Sequence, residues 1–227
     1  MVRNKRSEST EAARDPQLTY RALTKRDWPK IEDLFGSNGA CGGCWCMWWR
    51  VARGGKLWAE AKGAKNQADF RQLVEEGKVD GILAFAGKKP IGWCAFGPRS
   101  SFPRTERVRS LKRDWSETTW SVNCFYIRRE WRGQGVARKL AEKATKRAFE
   151  RGAGEVESYP VVPAAPPAAI PAVFAWTGVP AMFESSGYRE IPQQSGHRRI
   201  FLNTGAPSLR RSVGLRKDRL RTAAKGK

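Results

Sequence analysis

The chain has 227 residues, of which 40% are hydrophobic and ten are tryptophan, so it can bury a core and does not have the composition of a disordered protein. Its 43 lysines and arginines outnumber its 22 aspartates and glutamates, and the net charge of +21 favours contact with polyanions such as nucleic acid or a phosphorylated ligand. No apolar run reaches the roughly 18–20 residues of a transmembrane helix, and an odd number of cysteines, five, argues against a disulfide framework.

The first half of the chain alternates between extended and helical patterns. Residues 1–16 lack periodicity and predict a disordered lead without the apolar segment of a secretory signal, so we expect a cytoplasmic location. A strand is predicted over 17–23, and a helix with apolar residues three apart follows it. A second helix is predicted over 66–77, and two strands over 79–86 and 91–97 form a hairpin.

The second half predicts a strand, a turn and a helix, followed by shorter elements. The strongest strand pattern, over 118–127, leads through a basic turn with two glycines into a helix over about 136–151. The patterns then predict a strand over 155–159, an irregular proline-rich segment over 160–180, a short helix over about 179–186 and a strand over 188–202.

These elements predict a single domain over 17–204. Residues 205–227 hold eight basic residues against one acidic residue and are predicted to form a basic tail. Most of the excess positive charge nevertheless lies within the predicted domain.

The turn before the long helix has the features of an anion site. Gly133 and Gly135 allow the backbone to approach a ligand closely, and the helix start that follows presents free N–H groups and a favourable dipole. Arg132 and Arg138 add positive charge on either side. The turn lacks the patterns of a Walker or Rossmann phosphate loop, but it predicts a site for a diphosphate or polyphosphate.

The stretch 127–137 resembles motif A of the GNAT superfamily, the acyl-CoA-dependent N-acyltransferases. Arg132, Gly135 and Ala137 match the family pattern Gln/Arg-x-x-Gly-x-Gly/Ala, and 182–188 resembles a later aromatic and glycine segment of the family. The order of elements also resembles the family over about residues 17–202. The resemblance implies an α/β (α+β) fold in which a mixed, mostly antiparallel sheet is flanked by helices and splayed at the cofactor site.

The resemblance also implies the cofactor, acetyl-CoA as co-substrate, and the backbone that holds it. In the family the central strand pairs with the pantetheine arm and the loop amides hold the pyrophosphate. Carried over onto this sequence, the cofactor-binding residues are Phe125, Tyr126, Ile127, Arg132, Gly133, Gln134, Gly135, Val136, Ala137 and Arg138.

The acid–base residues depart from the family pattern. Phe183 stands where many GNAT enzymes have the tyrosine that protonates the leaving thiolate, so Tyr159 and Cys124 are the candidate acids, with release of the thiolate into water as an alternative. Glu157 shares a strand face with Tyr159 and is the candidate general base, directly or through water. A packing or ion-pair role is the alternative for each of the three.

Residues 40–50 form a loop dense in cysteine and tryptophan. Cys41, Cys44 and Cys46 could belong to a zinc site only with a fourth ligand from elsewhere in the chain. The candidates for that ligand are Cys94, Cys124 and His197, and none has ligand-like spacing, so no metal is expected. A redox role for the cysteines is a further alternative. The interpretation we prefer is a wall of an acceptor pocket for an apolar, aromatic or cationic amine. The loop is similar to one in a bacterial branch of the GNAT superfamily, and its predicted substrate-binding residues are Trp45, Trp48, Trp49 and Trp93.

The resemblance therefore predicts an N-acetyltransferase that transfers the acetyl group of acetyl-CoA to a primary amine of a small molecule or a protein by direct attack. A protein of this fold that acts on or binds RNA, for example by acetylating aminoacyl-tRNA, is the alternative that the basic surface and tail favour. A metal or redox module built on the cysteine loop ranks below both. No membrane contact is expected, and the protein is predicted to be a monomer or a homodimer.

Overall fold

The structure is a computed structural model that describes residues 17–52, 56–162, 174–192 and 198–205. Several sequence-based predictions therefore fall partly or wholly outside the described residues: the lead over 1–16, the tail over 205–227, the middle of the proline-rich segment over 160–180, and His197.

Within the described residues, seven strands form one sheet in the order β1-β2-β3-β4-β5-β7-β6. The strands are β1 (Leu18–Ala22), β2 (Asp80–Ala86), β3 (Lys89–Pro98), β4 (Thr119–Ile127), β5 (Glu155–Ser158), β6 (Arg189–Glu190) and β7 (Phe201–Asn203). Neighbouring strands are antiparallel except β4 and β5, which are parallel. The predicted strand over 188–202 is wrong in its extent, because β6 and β7 are two short strands that pair with each other.

Helices cover the sheet on both faces. They are α1 (Trp28–Phe35), α2 (Lys56–Ala61), α3 (Ala64–Glu75), α4 (Val136–Glu150) and α5 (Pro180–Glu184). The six-residue α2 was not predicted, because it is too short to show a helical period. In the described ranges, no helix combines the length and apolar character needed to cross a membrane.

Each face of the sheet has its own apolar cluster. Helix α4 places Leu140, Ala144 and Ala148, all fully buried, against one face. Helices α1 and α3 cover the other face, where Phe35, Phe70 and several tryptophans pack together. Because the helices on each side of the sheet bury their apolar faces against it, the loop before α4 and the loop after α1 are held in fixed positions.

The centre of the sheet opens at a β-bulge in β4. Ala95 of β3 lies opposite Cys124, whereas the next residue, Phe96, lies opposite Val122, so Asn123 is the extra residue. Strand β4 pairs with β5 only as far as Val122. Beyond the bulge, the edge of β4 that faces β5 therefore has no strand partner among the described residues and can accept one from a ligand.

Candidate active site

A cavity of about 750 Å³ lies at the open edge of β4. Residues 124–127 of that strand line one side, and residues of the 40–50 loop, including Cys44 and Trp48, line another. Arg132 and Ala137 lie at its border, so the predicted phosphate loop opens onto the same space. The volume suits a small-molecule site.

The phosphate loop has the backbone geometry that its glycines predicted. Gly133 and Gly135 have φ angles of +77° and +76°, and Gly135 is the residue that precedes α4. The side chain of Arg132 donates from Nε to the carbonyl of Ile127 at 3.0 Å, which holds the loop against the end of β4. Because the first turn of α4 contains no acidic residue, its free N–H groups face no competing carboxylate.

Backbone strain marks the cysteine loop. Ala40, Trp45 and Cys46 have φ angles of +67°, +45° and +59°, and they are the non-glycine residues with positive φ in the described ranges. Gly43 anchors the loop, because its carbonyl accepts a hydrogen bond from the backbone N–H of Gly63 at 3.0 Å. Strain of this kind persists only where surrounding contacts hold it, and it concentrates at functional sites.

The aromatic wall of the cavity differs in part from the predicted one. Trp48 and Trp93 line the cavity. Trp45 instead stacks on Trp28 in the core, with ring centroids 5.7 Å apart. Trp49 is also buried, and its Nε1 donates to the carbonyl of Asn123 at 3.0 Å. The predicted substrate contacts of Trp45 and Trp49 are therefore not supported by where these side chains lie.

Two further tryptophans complete that wall. The rings of Trp58 and Trp176 lie edge-on to Trp48, with centroid distances of 5.0 and 6.2 Å. Both line the cavity. Sequence reasoning missed them because they are distant in the chain from the cysteine loop, and no local pattern connects them to it.

The acetyltransferase (GNAT) family model matches residues 45–169, more than half of the chain. The chain belongs to the acetyltransferase (GNAT) family. The matched residues include the phosphate loop, the bulged strand β4 and the aromatic part of the cysteine loop. No curated protein matches the sequence.

Several solved acetyltransferase structures resemble the chain at low identity. The PaiA N-acetyltransferase of Thermoplasma acidophilum, in complex with coenzyme A, is 14% identical, with 83% of this chain and 99% of that chain covered and a TM-score of 0.46. The ribosomal-protein-S5-alanine acetyltransferase of Vibrio fischeri is 10% identical, with coverages of 84% and 94% and a TM-score of 0.46. An N-acetyltransferase of Staphylococcus aureus Mu50 is 12% identical, with coverages of 82% and 96% and a TM-score of 0.46.

Two thiols of this GNAT protein lie on the cavity wall, the buried Cys46 and the half-buried Cys124. Trp93 Nε1 donates to Cys46 Sγ at 3.3 Å. Interaction with the Cys124 thiol, helped by the charge of Arg50, lowers the pKa of Cys46, whereas the same interaction and burial raise the pKa of Cys124. The pair therefore keeps a proton on Cys124 at neutral pH.

The cysteines do not form a metal site in the described part of the chain. No group of three or more His, Cys, Asp or Glu side chains there is arranged to hold a metal ion. Burial raises the pKa of Cys44 to about 11, so this thiol is not a ready metal-binding thiolate at neutral pH.

Glu157 and Tyr159 lie inside the protein rather than on the cavity wall. Both side chains are fully buried, and Glu157 forms ion pairs with Arg99 and Arg113. The Tyr159 hydroxyl donates to Glu157 Oε1 at 2.5 Å and lies 2.8 Å from Ser121 Oγ. Direct acid–base chemistry requires contact with the substrate, so this placement does not support the predicted catalytic roles of these two residues.

Arg99 is the residue of this network that sequence reasoning missed. It lies in the segment 98–117, whose residues are mostly polar or basic, yet its side chain is fully buried. Nothing in the local pattern distinguishes Arg99 from the exposed arginines nearby. Its burial is explained by the partners that the fold brings to its guanidinium, namely the Glu157 carboxylate from β5, the Glu106 carboxylate and the Leu111 carbonyl.

Phe183, at the position of the usual GNAT tyrosine, packs in the core against β4. Its ring contacts Phe125 and Tyr188, with centroid distances of 6.0 and 5.2 Å. The Tyr188 hydroxyl is itself bonded to Thr145 at 2.6 Å, away from the cavity lining. In the described residues, the proton donors on the cavity wall are therefore thiols, the Tyr126 phenol, and the cations.

Proposed function

We infer that the protein is an N-acetyltransferase that moves the acetyl group of acetyl-CoA to a primary amine. One observation supports this proposal most: the edge of β4 that has no strand partner in the described ranges and the predicted phosphate loop open onto the same cavity. A ligand that combines an amide-containing arm with a pyrophosphate fits both features at once, and acetyl-CoA is such a ligand.

The backbone beyond the bulge supplies the binding groups. The free edge over 125–127 would pair with the pantetheine amides as an added strand. The N–H groups that begin at Gly133 and continue into the first turn of α4 would hold the pyrophosphate, with the charges of Arg132 and Arg138 beside them. When bound, acetyl-CoA supplies an activated thioester carbonyl.

The proposed reaction is a direct attack. The amine nitrogen forms a bond to the acetyl carbon, the C–S bond breaks, and the nitrogen loses a proton while the departing sulfur gains one. Holding both reactants in one cavity supplies much of the rate enhancement. The described cavity residues include no aspartate or glutamate, so the amine loses its proton to water or to the Cys46 sulfur, whose pKa is lowered, or enters uncharged.

Cys124 is the proposed proton donor to the departing sulfur. It is on the cavity wall next to the cofactor strand residues 125–127, and its raised pKa keeps it protonated at neutral pH. The Tyr126 phenol lines the same cavity and is the alternative donor. Release of the thiolate directly into water remains the alternative that needs neither side chain.

Two measurements test this function. Acetyl-CoA should raise the melting temperature of the full chain, because a ligand of the native state stabilises it. Thiol release, followed with a panel of amines, should then exceed the rate of hydrolysis without amine. Absence of a thermal shift at millimolar acetyl-CoA would contradict the proposal.

The acceptor proposed is a small molecule or a protein amine. Contact with RNA through the basic surface stays a prediction, since residues 206–227 of the basic tail lie outside the described residues. Steep weakening of RNA binding with added salt is the result expected if it occurs.

A further inference from the structure

We propose that the acceptor is a small amine that carries a carboxylate and an apolar or aromatic body, as an apolar α-amino acid does. This inference rests on the proposed acetyl transfer and concerns the acceptor side of the same cavity. It is carried by the cations around the three tryptophans Trp48, Trp58 and Trp176 and by the absence of carboxylates from the described cavity wall.

The faces of two of these tryptophans are already occupied by the protein's own guanidinium groups. The Arg104 guanidinium lies 3.4 Å from the ring centroid of Trp48. The Arg198 guanidinium lies 4.8 Å from that of Trp176. One face of each ring is therefore already covered by a cation, and the neighbouring positive charges repel a cationic acceptor. Of the apolar, aromatic and cationic acceptors that the sequence left open, we favour the apolar and aromatic ones.

The charge of the cavity wall has one sign. Lys62, Arg132 and Arg198 line it, and the described lining contains no aspartate or glutamate. Arg132 lies at the phosphate loop, where the cofactor would neutralise it. Arg198 lies on the acceptor side, because it covers Trp176, whose ring contacts Trp48 of the cysteine loop.

Arg198 has unused capacity for a ligand. Its Nε, like that of Arg199, is buried and has no hydrogen-bond partner among the described residues, but of the two only Arg198 lines the cavity. Burial also lowers its pKa, although an arginine stays charged at neutral pH. A carboxylate is the planar acceptor that matches the guanidinium fork, and it would relieve the cost of burying this charge.

Lys62 and Arg104, which neither the cofactor nor the acceptor carboxylate would neutralise, favour the reactive form of the amine. A positive charge near an ammonium group lowers its pKa, as does an apolar aromatic wall. Deprotonation is thereby made easier in a cavity whose described wall has no carboxylate base. The α-nitrogen then bonds to the acetyl carbon, the C–S bond breaks, and the proton lost by nitrogen passes through solvent while the sulfur takes one from Cys124 or water.

The first test uses ligands that differ only in charge. After acetyl-CoA has been shown to raise the melting temperature, N-acetyl-L-phenylalanine and its uncharged amide are titrated calorimetrically into the CoA-saturated protein. L-phenylalanine and its methyl ester are compared as acceptors by thiol release. We expect the carboxylate form to bind at least 10-fold more tightly in the calorimetric pair. We also expect it to have at least a 10-fold higher kcat/KM in the acceptor pair, although the ester has the more easily deprotonated amine.

The second test removes the cation. Arg198→Gln should lower kcat/KM for L-phenylalanine about 10- to 100-fold, the effect of one charge-assisted hydrogen bond, and leave the ester and the KM for acetyl-CoA unchanged. Arg199→Gln is the matched control, since Arg199 pairs with Glu190 at 3.5 Å and does not line the cavity.

The outcomes separate the two levels of proposal. Failure of acetyl-CoA to bind would contradict the acetyltransferase function itself. Binding of acetyl-CoA without preference for the carboxylate ligands, faster acetylation of esters or polyamines, or an Arg198→Gln effect confined to acetyl-CoA would overturn the acceptor class alone.

Discussion

The carboxylate of Glu157 and the guanidinium of Arg99 form an ion pair in which neither side chain is exposed. The two residues are 58 positions apart and meet below the opening of the sheet. Arg113 and Tyr159 bond to the same carboxylate, so the network ties the 3-10 turns over 99–111 to β5. We interpret Glu157 as a residue that holds this wall in place.

Glu157→Gln should lower the free energy of unfolding by about 3–5 kcal/mol, because it leaves buried arginines without their counter-charge. Chemical denaturation measures this loss. Glu142→Gln is the control, since its exposed pair with Lys139 should contribute less than about 1 kcal/mol. A variant that keeps its stability but loses kcat with an altered pH profile would restore Glu157 as the general base.

Gly135→Val should abolish the thermal shift produced by acetyl-CoA. A side chain at φ +76° strains the loop, and it also displaces the amides that would face the pyrophosphate. Gly152→Val places the same side chain at φ +93° beyond the other end of α4, with equally open space around it. Both variants should lose about 1–3 kcal/mol of stability. Only Gly152→Val should retain the acetyl-CoA shift; an equal loss of the shift in both would contradict the assigned site.

Cys124→Ala should lower kcat about 100-fold while the affinity for acetyl-CoA changes little, because a positioned acid acts in the transition state. Stopped-time thiol assays and calorimetry measure the two quantities. Tyr126→Phe removes the phenol hydroxyl of the alternative donor, which lies two residues further along β4 and lines the same cavity. If Tyr126→Phe loses kcat and Cys124→Ala does not, the acid is the phenol; if neither variant loses kcat, the thiolate leaves without an acid.

Asp27 should contribute to stability in a pH-dependent way. Burial raises its pKa, but hydrogen bonds from Arg21 and Thr24 outweigh burial and hold the pKa at about 2, below the ordinary 3.8. A folded-state pKa below the unfolded value stabilises the protein above about pH 4, and this stabilisation is lost as the pH falls through 2.

Asp27→Asn should therefore lower the free energy of unfolding by about 1–2 kcal/mol at neutral pH. The lower figure allows for solvent screening of the charge of Arg21, which is half exposed. The difference between variant and parent should shrink below about pH 4 and disappear only below about pH 2. Asp33→Asn, which removes a carboxylate that is 55% exposed, is the control for the substitution itself. A difference that is constant from pH 7 to pH 2 would contradict the assignment.

The elements that the sequence predicted well are those with local causes. The phosphate loop follows from two glycines between a strand and a helix, and both adopt the positive φ that only glycine takes easily. The order of strands and long helices follows from apolar spacing within each segment. The absence of the usual tyrosine was also predicted locally, because Phe183 occupies that position in the 182–188 segment.

Features that depend on distant contacts were decided by the tertiary structure. The bulge at Asn123 depends on how β3 and β4 register against each other, which no strand pattern specifies. The cavity is lined by Trp58 and Trp176, which the sequence did not predict, and not by Trp45 and Trp49, which it did. The reason is that the packing of the folded chain, rather than proximity in the sequence, decides which tryptophan rings reach the cavity.

Charge alone could not separate the roles of Glu157, Arg99 and Arg198. The sequence predicted a basic domain with an anion site at the start of α4, and its motif resembled that of acyl-CoA-dependent enzymes. Only the fold showed that the Glu157 carboxylate is consumed by an internal ion pair and that Arg198 covers a cavity tryptophan. The physical reason is that burial and pairing depend on which groups the folded chain brings within a few ångströms, whereas composition records only how many such groups exist.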